Sequence, residues 1–168
     1  MSDELKYLIT FKEQMLLFIE ELIEMFDTEP SFILIRIFVS DKIPTKDVIG
    51  RFMKECLPYY KYVKDRNSEF FVYSDFIYEQ YVEDVGDDAL KNFRTLWESE
   101  VMTDEIKDIV WQWLDFFIEL SLKYYHKFGC VEDWEFDLNK STQTMNGIIN
   151  EFYSEKSENN IVNKSKTI

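Results

Sequence analysis

Histidine is nearly missing from this chain of 168 residues, which holds one, and beside it stand only two cysteines, four glycines and three prolines. Each scarcity excludes a chemistry. A single imidazole and two distant thiols, Cys56 and Cys130, leave no histidine or cysteine zinc site. The two cysteines have no CxxC spacing, so they read as buried thiols of a reducing compartment and not as a disulfide. Four glycines leave no phosphate loop and no dinucleotide fingerprint. The carboxylates likewise lack the spacing and the glycine of a calcium loop. No catalytic residue, cofactor site or metal ligand is therefore assigned. Long hydrophobic runs are also missing, because charges interrupt every apolar stretch before the roughly 18 residues that a membrane span needs. The stretch from Met1 to Lys6 is acidic where a signal peptide would be basic, which points to an intracellular chain without a membrane segment. Basic residues are scarce as well: 19 against 33 acidic ones give a formal charge of -14, which disfavours direct contact with nucleic-acid phosphates or an anionic membrane.

What the chain has is apolar and aromatic mass, 46% hydrophobic and 17% aromatic, enough for one well-cored domain. The dominant stretch is Thr103 to Gly129. Ile106, Ile109, Val110, Trp113, Phe116, Phe117, Leu120 and Tyr124 recur there at three- and four-residue spacing, which predicts a central core helix with these side chains facing inward. Trp111, Leu114, Ile118 and Leu122 widen that face, and a narrow polar strip holds Glu105, Asp108, Gln112, Asp115, Glu119, Lys123 and His126. His126 on this strip reads as a titrating surface residue. Thr103 is the expected cap, and Gly129 the expected left-handed stop.

Around this helix the pattern predicts an all-α, single-domain bundle of about six to eight helices over residues 1–153, followed by a disordered polar tail, 154–168. Asp3 to Phe26 is amphipathic, with Ser2 as its cap. Lys46 to Leu57 is a second such helix, capped by Thr45 and ended by Pro58. Phe32 to Val39 is an apolar run that periodicity cannot assign. Strand propensity favours β, but no second convincing strand exists to pair with it, so a short buried helix is expected. Arg36 inside that run needs a carboxylate and reads as a structural ion pair in preference to an anion site. Paired acids on one helical face, Glu20 with Glu24 and Asp115 with Glu119, have the spacing to hold a hard cation, but in so acidic a chain they read first as a solvated face.

One surface is a candidate for recognition. Trp111, Ile118 and Leu122, with Asp115 at the rim, lie on the flank of the central helix. Either another segment of the chain covers them, which is the ordinary fate of large apolar residues, or they form an apolar patch for a basic partner or a second copy.

The order Phe11-Lys12-Glu13-Gln14, Ile35-Arg36-Ile37-Phe38-Val39, Asp41-Lys42-Ile43-Pro44, Val63-Lys64-Asp65-Arg66-Asn67 and Val110-Trp111-Gln112-Trp113-Leu114-Asp115 resembles uncharacterised proteins encoded by large DNA viruses of algae and amoebae. The similarity covers about residues 5 to 128. It implies a viral source, with the host cytoplasm, a viral factory or the virion as location, and no particular activity. The function expected is binding without catalysis, an accessory or virion-associated factor that recognises another protein or itself. A carboxylate-based metal-dependent enzyme and an acidic mimic of nucleic acid are the competing classes.

Overall fold

The computed structural model describes residues 1–69, 87–129, 135–138 and 141–154. The sequence pattern also predicts short helices over Glu69 to Tyr73 and Asp75 to Tyr81 and a polar loop over Asp84 to Asp88; these, with Cys130 and the tail after Ser154, lie wholly or mostly outside the described residues. The fold class is all-α. The chain divides into two compact units, Met1–Ser121 and Leu122–Ile168.

The first unit begins with α1, Asp3–Met25, whose start is written locally: Ser2 Oγ accepts the Leu5 amide at 3.2 Å, and Asp3 and Glu4 occupy the first turn. Next come α2, Ser31–Ile37, and a single π-helical turn, Phe38–Lys42. The run Phe32 to Val39 is thus helical, and the choice against a strand holds. Its burial differs from expectation, since only Phe32 and Val39 of the run are buried. A seven-residue helix laid on a neighbour covers one face, and this one is apolar on more than one. Then follow α3, Thr45–Cys56, a 3-10 turn at Leu57–Tyr59, and α4, Tyr60–Lys64. Thr45 is the first residue of α3 and makes no side-chain cap, because Pro44 supplies the extended entry instead. Further on come α5, Asp87–Glu98, and α6, Asp104–Phe128. Thr103 Oγ1 accepts the Ile106 amide at 3.3 Å, and Gly129 has φ +74° and donates its N–H to Tyr125 O at 2.7 Å. The cap and the left-handed stop are as the sequence reads.

Two chains of aromatic rings hold this unit. Phe11 of α1 is fully buried, with ring centroids 5.4 Å from Phe52 of α3 and 5.3 Å from Phe117 of α6. Phe26, Phe32, Phe93, Trp97 and Trp111 form the second chain, linking the end of α1 through α2 and α5 to α6 at centroid spacings of 5.7 to 6.4 Å. These contacts correct the expected rotation of α6. The fully or nearly fully buried positions are Val110, Trp111, Phe117, Ile118, Ser121 and Leu122, while Ile106, Ile109, Trp113, Leu120 and Tyr124 are half-buried and Phe116 is 39% exposed. A helix apolar around most of its circumference does not fix its own rotation; its neighbours do. Ser121 is tolerated in the buried face because its hydroxyl donates to Ile118 O at 2.9 Å.

The second unit holds the end of α6, an antiparallel hairpin of β1, Glu135–Leu138, and β2, Ser141–Thr144, and a helix α7 over residues 145–154. The sequence pattern predicts a final amphipathic helix over Thr142 to Tyr153, and the hairpin takes Thr142, Gln143 and Thr144 from its start. Thr144 Oγ1 then accepts the Gly147 amide at 3.1 Å and caps α7, which buries Met145, Ile148 and Ile149 of the expected inner face and leaves its fourth residue, Phe152, half-buried.

Candidate functional site

The short helix α2 has two apolar sides, and each makes a distinct feature. Outward, Ile33, Leu34 and Ile37 are 46%, 52% and 45% exposed. Their i, i+3 and i+4 spacing makes them one continuous ridge. Leu17 on α1, the helix on which α2 rests, is also exposed. The Arg36 guanidinium crosses between these two helices and donates to Glu20 Oε1 from Nη2 at 2.9 Å and from Nε at 3.2 Å. Arg36 is therefore the structural ion pair that the sequence suggested, though on the surface, where such a pair contributes little stability and mainly fixes orientation.

Inward, α2 and the π turn wall a cavity of about 320 Å³ with α1 and α3. Met15, Ile35, Phe38, Val39, Val48 and Phe52 supply most of its apolar lining, and Arg51 and Glu55 are the charged side chains in it. The Arg51 guanidinium carbon lies 5.5 Å from the Phe38 ring centroid. Lys12 of α1 pins the π turn from outside, donating to Ser40 O at 3.1 Å and Ile43 O at 2.9 Å, carbonyls at an end where the helix supplies no donors. Cys56 also lines this space, where burial of the thiol and then the neighbouring Glu55 push its pKa up to about 12. It is a protonated, inert thiol at neutral pH.

The flank of α6 does not form an exposed apolar patch. Trp111, Ile118 and Leu122 are buried, and Asp115 is engaged within the chain: Arg66 donates to both its oxygens, at 2.9 and 2.6 Å, while the same guanidinium stands 5.7 Å from the Trp111 ring centroid. Trp97 covers Trp111 from α5, edge to face at 5.7 Å. Coverage within the chain, the ordinary fate, is what occurs. The carboxylate pairs that have cation spacing are redirected in the same way, Glu20 to Arg36 and Asp115 to Arg66. Among the described residues no group of three or more His, Cys, Asp or Glu side chains converges as a metal site would require. His126 is exposed, with its ring 4.7 Å from that of Tyr153. No helix among the described residues is long and apolar enough to cross a membrane.

Sequence reasoning missed the ridge and the cavity. The ridge had a signal: an apolar run too short to be surrounded, with Arg36 in its middle marking proximity to water. The cavity had none, since it depends on a π turn that no local pattern announced. Compared with family models, curated proteins and solved structures, the chain matches none of them.

Proposed function

We propose that the protein is a non-enzymatic recognition factor that binds another protein through the outward ridge of α2, an accessory or virion-associated role in the setting that the viral resemblance implies. The observation that supports this reading is the half exposure of Ile33, Leu34 and Ile37 together on one short helix. Isolated exposed apolar residues are ordinary, but a continuous ridge is the usual centre of an interface. The α1 side of this ridge is acidic, with Glu13, Glu20 and Glu24 around Leu17, and the whole chain carries -14. A partner with an apolar strip flanked by basic residues fits both, with charge speeding the encounter and apolar contact slowing release.

The test is a pull-down from the source cells with the parent and with the double variant Leu34→Asp, Ile37→Asp, beside measurement of the solution mass of each. Loss of a specific partner, or of self-association, in a variant that keeps its helical spectrum is the expected result. Identical partners and mass for both proteins remove this surface.

A further inference from the structure

We propose that the cavity between α1, the α2–π turn and α3 is a binding site for an uncharged apolar molecule with the bulk of about two fused rings. Burial gives this cavity a floor and a mouth. Val39, Ile43, Val48 and Phe52 are buried, whereas Met15, Ile35 and Phe38 are half-buried and Arg51 is exposed. A void sealed inside a core is a packing defect, but one whose lining grades from buried to half-buried reaches the surface, and a ligand enters it without unfolding the walls. Nearly all the surface it offers is apolar, and such a surface gains free energy by exchanging water for another apolar surface. Volume sets the size of the occupant. A dry cavity of roughly 150 Å³ takes one benzene ring, and the present one, about 320 Å³, is about twice that.

Charge decides that the occupant is neutral. Arg51 and Glu55, four residues apart on α3, bring both signs to the lining, so neither a carboxylate nor an ammonium meets an uncompensated counter-charge there. Arg51 already stands over the Phe38 ring and, being exposed, keeps its hydration. Lys12 is taken up by the carbonyls of Ser40 and Ile43. The α1 wall, which carries Met15, holds six acidic residues against two basic ones and further opposes an anion. A cation drawn toward that wall would still have to shed its water to reach the apolar floor. The Cys56 thiol, protonated at neutral pH, adds no charge to the lining. An uncharged hydrocarbon has no such hydration to lose. The wall is also built before any ligand arrives, because Lys12 fixes the π turn that carries Phe38 and Val39, and a preformed site spends less of its binding energy on ordering. π-helical turns recur at functional sites.

The experiment is calorimetric titration of the full chain with naphthalene, 1-naphthoate and 1-naphthylmethylammonium, which share one ring system and differ in charge. Naphthalene is expected to saturate at one per chain with a negative change in heat capacity, the mark of apolar burial. Both charged analogues are expected to bind more weakly by about tenfold or more, since each must be desolvated without a free counter-charge. Arg51→Met is expected to leave naphthalene binding unchanged. Val48→Phe, which fills the floor, is expected to abolish it; Ile35→Trp serves the same purpose from α2 should the first variant lose its helical spectrum. The Leu34→Asp, Ile37→Asp variant is expected to bind naphthalene as the parent does, so this site and the partner ridge stand or fall separately. Absence of saturable binding, binding that survives in a folded cavity-filled variant, or a charged analogue that binds as tightly as naphthalene would each overturn the proposal.

Discussion

Arg66 occupies a backbone conformation, φ 54°, that costs most residues roughly 1–2 kcal/mol and usually falls to glycine. It sits where α4 closes: the Asn67 amide bonds to Tyr62 O at 2.9 Å and the Arg66 amide to Val63 O at 3.0 Å, the paired bonds of a Schellman stop. The side chain is what glycine lacks, because it clamps Asp115 with two bonds and covers Trp111. Both partners are substantially exposed, which screens the pair, so a double-mutant cycle of Arg66→Ala and Asp115→Ala should give a coupling of about 1 kcal/mol at low salt and less at about 1 M salt. Coupling indistinguishable from zero at low salt would make the clamp incidental. Cys56 makes a second prediction. Desolvation and then the neighbouring Glu55 push its thiol up from the ordinary 9.0 to about 12, so the fold favours the protonated form. Stability from this group is complete below about pH 9 and is lost as pH climbs toward 12. Iodoacetamide at pH 8 should alkylate Cys56 at least a hundredfold more slowly in the native chain than in denaturant. Comparable rates would mean that the thiol is open to solvent.

At the scale of elements, the rotation of α6 can be tested with adjacent phenylalanines. Phe117 is fully buried between Phe11 and Phe52, so Phe117→Ala should cost about 3–5 kcal/mol, whereas Phe116→Ala should cost about 1 kcal/mol or less. Denaturation midpoints decide this, and equal losses would restore the rotation that periodicity alone suggests. Trp113, placed in the core by that periodicity, is a bridge instead. Its ring stacks on Phe117 at 5.7 Å and its Nε1–H donates to Glu21 Oε2 of α1 at 2.7 Å. The helix ends were legible because Ser2, Thr103 and Gly129 act on amides or dihedrals a few residues away. The partner of Arg36 was legible only as a type, a carboxylate, since Glu20 is brought to it by tertiary packing. The rotation of α6, the exposure of Ile33, Leu34 and Ile37, and the π turn beside the cavity were not legible, because each is settled by which neighbour arrives and none by local spacing.

For the molecule as a whole, a charge of -14 on 168 residues works against compaction. Screening should therefore raise the thermal midpoint between low salt and about 0.5 M sodium chloride, even though it weakens the exposed Arg36–Glu20 and Arg66–Asp115 pairs. A midpoint that falls over that range would mean that these pairs outweigh self-repulsion. The edge-to-face contact of Trp97 with Trp111, 5.7 Å apart at 82°, carries a separate consequence for how this molecule interacts with light. Two indoles that close share their electronic excitation, so circular dichroism should contain an exciton couplet superimposed on the helical bands. That couplet reports whether α5 is seated on α6 independently of helix content, and it should vanish in Trp97→Phe while the amide signal persists.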